Sequence, residues 1–164
     1  MAKKPVPDFL AILKVLTDHK VHFIVVGGVC GVLHGAPLTT FDLDLVHSRS
    51  RHNLDRLISA LKELDAQYRG RGDERLTPKI AHLSSPGHQL LMTKFGPLDL
   101  LGTIGIGHSY EDLLKHTVGL GVSTMRLCVL DLETLIQVKK ETISEKDKAI
   151  IPILQRTLEE KLKQ

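Results

Sequence analysis

Only two cysteines, Cys30 and Cys128, occur in the 164 residues, and both sit in apolar surroundings. That is too few for a disulfide framework and fits a reduced, cytoplasmic setting. Long apolar runs are also missing. Gly, His or Asp interrupts each one well short of a bilayer-spanning length, so no transmembrane helix is expected. The opening "MAKKPVPDFL" has two lysines but no apolar stretch behind them, which excludes a secretory signal. Charge of one sign is scarce too: the formal net charge is +3. The basic residues are scattered, so an anionic ligand is allowed but a nucleic-acid binder is not marked. Their densest cluster, "YRGRGDER" with Arg69, Arg71 and Arg75, reads as a solvated loop, with a phosphate-contacting loop as the sharper alternative.

Internal repeats, low-complexity tracts and linkers are absent. With 42% hydrophobic and 25% charged residues, the composition is that of one globular domain over residues 1–164 with a core of its own. Several familiar site motifs are missing as well. "GIGHSY" and "GLGVST" lack the third glycine of a dinucleotide fingerprint, and "GGVCGVLHG" lacks the Lys-Ser/Thr of a P-loop. No G-x-S-x-G elbow occurs, and the nine histidines have no metal-ligand spacing. His34 and His47 read as packed or surface residues, and Cys30 as a small core residue without an activating neighbour.

What is present is a sequence of short elements. Apolar spacing in "PDFLAILKVLTDHK" predicts an amphipathic helix, and "HFIVV" a short buried strand running into Gly27-Gly28. "VCGVLHG" suits a compact helix, "FDLDLVH" a strand with one acidic and one apolar face, and "RHNLDRLISALKELDAQY" a longer helix. "KIAHL" and "HQLLMTK" read as strands around the turn "SSPG", followed by the strand "PLDLLGTI". "SYEDLLKH" reads as a short helix, and "VGLGV" and "MRLCVL" as short strands or loop segments. Two helices close the chain. The second is headed by a capping-type pair, Ser144 and Asp147, and Pro152 predicts a kink or a late restart within it. The fold class is α+β, or mixed α/β: a small sheet flanked by helices, with a core at about residues 8–128 and a helical segment at about 131–162.

Asp42 and Asp44 carry the chemistry of this pattern. Two residues apart on a strand, their carboxylates share one face, while Leu43 and Leu45 point into the core. Carboxylates on a rigid support suit Mg²⁺, which takes one or two of them together with substrate phosphates. Asp99, in "GPLDLLG", repeats the same apolar-flanked environment and would bring a third carboxylate if its strand lies beside the first. That arrangement matches two-metal phosphoryl or nucleotidyl transfer. Gly27 and Gly28 at a strand end allow close backbone approach to a phosphate, and Thr39 or Thr40 offers a hydroxyl nearby.

In this order, "VVGG", "FDLDLV" and "PLDLL", the residues resemble the nucleotidyltransferase fold superfamily of the DNA polymerase beta type. Within it, the stretch is most similar to minimal AbiEii-type prokaryotic members, several of which are toxins of type IV toxin–antitoxin pairs. The segment holding Lys139, Lys146 and Asp147 is similar to the Lys and Lys/Arg-Asp segment that follows the core there. The resemblance implies that Asp42 and Asp44 hold Mg²⁺, or Mn²⁺ in its place, with the triphosphate. It implies that Asp99 holds one metal ion and helps deprotonate the acceptor hydroxyl. Gly27 and Gly28 would cradle phosphates, and Lys139 would reach the nucleotide. The implied activity is transfer of an NMP from an NTP to a hydroxyl of tRNA, protein or a small, antibiotic-type molecule, with a cognate antitoxin as a partner in the toxin case. Leu38 stands where the family often carries a basic residue. That departure keeps a second reading open, a non-catalytic nucleotide- or partner-binding protein on the same fold.

Overall fold

The computed structural model describes residues 6–164, and the signal-sequence reading of residues 1–5 lies outside them. The chain begins with helix α1 (Phe9–Asp18), started by Asp8, whose carboxylate accepts from the Ala11 amide at 3.0 Å and so satisfies an otherwise orphan donor. Strand β1 (Phe23–Val26) is buried at every residue and passes directly into helix α2 (Gly27–Leu33). Strand β2 (Leu43–His47) and helix α3 (Arg51–Glu63) follow, the helix capped by Ser50. Next come β3 (Gln67–Tyr68), α4 (Ile80–Leu83), β4 (His88–Thr93) and β5 (Gly96–Leu101). A small ribbon of β6 (Thr103–Ile104) and β7 (His108–Ser109) leads to α5 (Tyr110–Leu114). The hairpin β8 (Thr117–Val122) and β9 (Met125–Leu130) precedes the closing helices α6 (Leu132–Glu141) and α7 (Glu145–Leu162).

The α+β expectation holds. Seven strands form one mixed sheet in the order β3-β4-β5-β2-β1-β9-β8, larger than the small sheet expected. Its centre brings two aspartates side by side, because β2 runs antiparallel to β1 and parallel to β5, with Leu43, Asp44 and Leu45 opposite Leu98, Asp99 and Leu100. The four leucines are fully buried, so the register is fixed by what they would expose if it slipped by one residue. Helices α1, α3 and α4 pack in sequence, while α2, α6 and α7 form a second group. No helix among the described residues is long and apolar enough to cross a membrane.

Two local expectations are corrected. "KIAHL" is not a strand: Ile80–Leu83 form one helical turn that buries Leu83 and hydrogen-bonds Ser84 N–H to the Ile80 carbonyl at 2.9 Å. A short apolar run fits either geometry, and here packing against α3 selects the helix. Pro152 does not bring a late restart of the last helix, which runs for 18 residues through it. Leu154, fully buried just beyond the proline, holds the following turn on the core and offsets the backbone hydrogen bond that proline cannot donate. The cap expected from Ser144 and Asp147 is present as a reciprocal capping box.

Candidate functional site

The site begins where β1 ends. Gly27 takes φ +67°, the left-handed region that side chains resist, and a Cβ there would run into the carboxylate of Asp44. Glycine is therefore required twice, by the backbone and by the space. At Gly28 a Cβ would lie 3.0 Å from the Thr40 hydroxyl oxygen, so the second glycine keeps the backbone close to the Thr-Asp segment. The Thr40 hydroxyl donates to the Asp42 carbonyl at 3.0 Å and fixes the bend that leads into β2. The strand starts at Leu43, one residue after Asp42, so Asp42 sits on the bend and Asp44 on the sheet.

A cleft of about 120 Å³ opens at this point. Gly28, Thr39, Thr40, Asp42, Asp44 and Lys139 all line it, joined by Leu38, Phe41, Lys146, Asp147 and Ile150. Residues separated by more than a hundred positions in the chain thus meet over the end of β2. Phe41 stands at this cleft 70% exposed, a large apolar ring left in solvent. Lys139 Nζ lies 3.2 Å from Asp147 Oδ1, with both side chains 17% exposed. Asp147 therefore caps α7 with one oxygen and pairs with Lys139 through the other. A larger hollow of about 640 Å³ runs along a different stripe of α6, beside His108, Asp112 and Glu141. It contains none of Asp42, Asp44 and Asp99, and the smaller cleft is the one where the acidic strand opens.

Asp99 is the register partner of Asp44 on β5, but it is only 8% exposed and does not line the cleft. Its own partner is Arg69, whose Nη2 lies 2.7 Å from Oδ1. That contact is an ion pair without hydrogen-bond alignment, since Oδ1 is buried with no hydrogen-bond partner. The Arg69 Nη1 donates instead to the Leu91 carbonyl at 2.6 Å. Burial pushes the Asp44 carboxyl up to about 7, assisted by the charge of Asp99, a hydrogen bond shared with it and the charge of Asp42, while Lys139 opposes the rise. Negative charge at Asp44 is thus under-compensated by the protein itself.

No group of three or more His, Cys, Asp or Glu side chains among the described residues forms a metal cage. Mg²⁺ does not need one, because it is held by one or two carboxylates and completed by phosphate oxygens and water. Asp42 and the under-compensated Asp44 line the cleft together and offer hard carboxylate oxygens of the kind such an ion takes, while Asp99 lies outside the cleft with Oδ1 against Arg69.

The histidine and cysteine expectations hold. His34 Nε2 lies 2.8 Å from the Leu130 carbonyl and donates to it, while Nδ1 accepts from Lys161 Nζ at 2.7 Å. His47 contacts the Leu83 carbonyl at 2.8 Å, and both rings are buried. Burial pushes the Cys30 thiol up to about 12, which leaves it a core residue. The residue that sequence reasoning did not bring to the site is Arg69. Its basic cluster was visible, but its contact with Asp99 depends on β3, β4 and β5 lying side by side.

No protein-family model matches the chain, and no curated protein sequence matches it significantly. Solved structures do. The lincomycin-bound lincosamide antibiotic adenylyltransferase LnuA matches with a TM-score of 0.60 at 15% identity, over 90% of this chain and 94% of that one. A Thermotoga maritima protein assigned as a nucleotidyltransferase matches at 0.57 and 19% identity, over 93% of both chains. The antibiotic-resistance factor ANT(2'')-Ia matches at 0.58 and 11% identity, over 92% of this chain and 82% of that one. The chain has the nucleotidyltransferase fold.

Proposed function

We propose that the protein transfers a nucleoside monophosphate from an NTP to a hydroxyl acceptor, using the cleft at the end of β2. The observation that supports this most is the convergence on one cleft of Gly28, Thr39, Thr40, Asp42, Asp44 and Lys139, a glycine wall, hydroxyls, carboxylates and a lysine in one place. Asp42 and Asp44 would hold Mg²⁺ or Mn²⁺ together with the triphosphate, and Asp99 would hold a metal ion and take the acceptor proton. A bound divalent ion would neutralise the triphosphate and stabilise charge on the attacking and leaving oxygens. Gly27 and Gly28 keep the backbone close against Asp44 and Thr40 at the cleft, where their amides would face the phosphates, and Lys139 adds positive charge on the facing helix α6. In the reaction the acceptor oxygen bonds to the α-phosphorus, the bond to the β-phosphate oxygen breaks, and pyrophosphate leaves.

The acceptor divides into three classes, tRNA, protein and small molecule. The AbiEii-type likeness of the motif favours a toxin acting in the cytoplasm against tRNA or protein, with a cognate antitoxin. The named antibiotic substrate of LnuA favours the small-molecule class. A non-catalytic binding protein is the second reading, favoured by Leu38, which lines the cleft where the family often carries a basic residue. Incubation with α-³²P-labelled NTPs, Mg²⁺ and, in separate arms, total tRNA, cell protein and lincosamides or aminoglycosides tests both. Transfer lost in Asp42→Ala supports the enzyme. Mg²⁺-dependent NTP binding without transfer to any acceptor supports the binding protein.

A further inference from the structure

Arg69, Leu90, Asp99 and Asp44 lie in one row across the sheet. The Arg69 amide donates to the Leu90 carbonyl at 3.0 Å, Leu90 is the register partner of Asp99, and Asp99 that of Asp44. Cross-strand partners share a face, so the Arg69 side chain reaches over β4 to the carboxylate next to the cleft. It ends there as a pair of charges 2.7 Å apart, with the side chains 25% and 11% exposed. Most surface ion pairs sit in water and are screened, but this one does not. The other guanidinium nitrogen is tied to the Leu91 carbonyl, so the charge is held at Asp99 and not merely near it.

A divalent ion binding Asp99 has to approach to about 2.0–2.1 Å of an oxygen. The guanidinium already stands on Oδ1, and two cations on one buried carboxylate repel each other. Resting on the reading of the cleft as a metal–triphosphate site, we infer that Arg69 is a built-in counter-cation for Asp99, competing with a divalent ion for that carboxylate. Asp42 and Asp44 then take the first ion, and Asp99 contributes to a second only when the guanidinium withdraws. Withdrawal costs the Nη1 hydrogen bond to the Leu91 carbonyl, but Arg69 follows a two-residue edge strand and precedes the exposed segment 70–77, so its side chain can turn toward solvent without moving a strand of the core. Arg69 is therefore a positioning residue, setting the order and affinity of cation loading without touching substrate.

The test is a Mn²⁺ titration of the full chain, with free Mn²⁺ read by electron paramagnetic resonance. Wild type should bind one Mn²⁺ more tightly than a second. Arg69→Gln should strengthen the second site by about tenfold, the scale a neighbouring unit charge exerts on a carboxylate equilibrium. Arg69→Lys, which keeps the charge, should behave as wild type, and Asp99→Asn should lose the second site alone. A merely structural Arg69 would lower the melting temperature in Arg69→Gln and leave both Mn²⁺ affinities unchanged, which overturns the inference. Should Arg69→Gln fail to fold, the Arg69 guanidinium ¹⁵N resonance in wild type decides, because it must shift with the second Mg²⁺ and not the first. Absence of any Mn²⁺ binding by wild type overturns the reading of the cleft itself, a result distinct from equal binding by wild type and Arg69→Gln.

Discussion

Asp44 and Asp99 stand side by side in register on the parallel strands β2 and β5, and burial with the Asp99 charge beside it pushes the Asp44 carboxyl up to about 7. Evolution would remove such a pair from a purely structural sheet, because one neutral amide relieves the repulsion. Asp44→Asn is therefore expected to raise the melting temperature of the metal-free protein at pH 8 by several degrees while abolishing nucleotidyl transfer. Differential scanning fluorimetry in EDTA checks the first half. A lower melting temperature for Asp44→Asn would mean that the carboxylate serves the fold.

Gly27 separates backbone strain from site geometry. Gly27→Ala forces a side chain into the left-handed region and onto the Asp44 carboxylate, at an expected cost of about 1–3 kcal/mol. Mg²⁺-dependent nucleotide binding should fall further than stability does, because Asp44 is the atom group displaced. Urea denaturation and calorimetric NTP titration of the same variant compare the two losses directly.

Lys139 is held toward the cleft by Asp147 at 3.2 Å. Lys139→Met is expected to weaken NTP binding by about tenfold or more, the loss of one charge-assisted contact to phosphate. Asp147→Asn frees the ammonium and should leave NTP affinity equal to wild type or tighter. Equal weakening in the two variants would indicate that the pair only fastens α7 to α6.

His34 and His47 set an acid limit on stability. Burial lowers both below the ordinary value of 6.5, so the unfolded chain binds protons that the folded chain refuses. Their contribution is complete above 6.5 and is lost as pH falls through the lowered folded values. Protonation of Asp44, whose folded value is raised, stabilises the fold over the same range. The histidine effect is therefore read in the Asp44→Asn background, where the melting temperature should drop between pH 7 and pH 5, and less so when His47→Gln is added. NMR of the imidazole nitrogens should find the His47 ring titrating below its ordinary value of 6.5.

Much of the site was legible before the fold because its signal is local. The Gly pair, Thr39, Thr40, Asp42 and Asp44 lie within one short stretch where period-two alternation and glycine spacing carry meaning. Lys139 came from the family resemblance, and its contact with Asp147 needs only the short turn between α6 and α7. What stayed hidden depends on pairing between distant strands. Asp99 was recognised by its leucine neighbours, but nothing in those neighbours announces that Arg69 reaches it across β4. The same holds for "KIAHL", whose helical turn is chosen by packing against α3, and for Pro152, tolerated because Leu154 anchors the turn beyond it.

The central claim is that Asp42, Asp44 and the glycine pair form one metal–triphosphate site. Isothermal titration of the wild-type chain with a non-hydrolysable NTP, with and without Mg²⁺, tests it most directly, alongside the Asp42→Asn/Asp44→Asn double variant. The account predicts binding that requires Mg²⁺ and disappears in the double variant. Binding of equal strength in EDTA, or in the double variant, would contradict it.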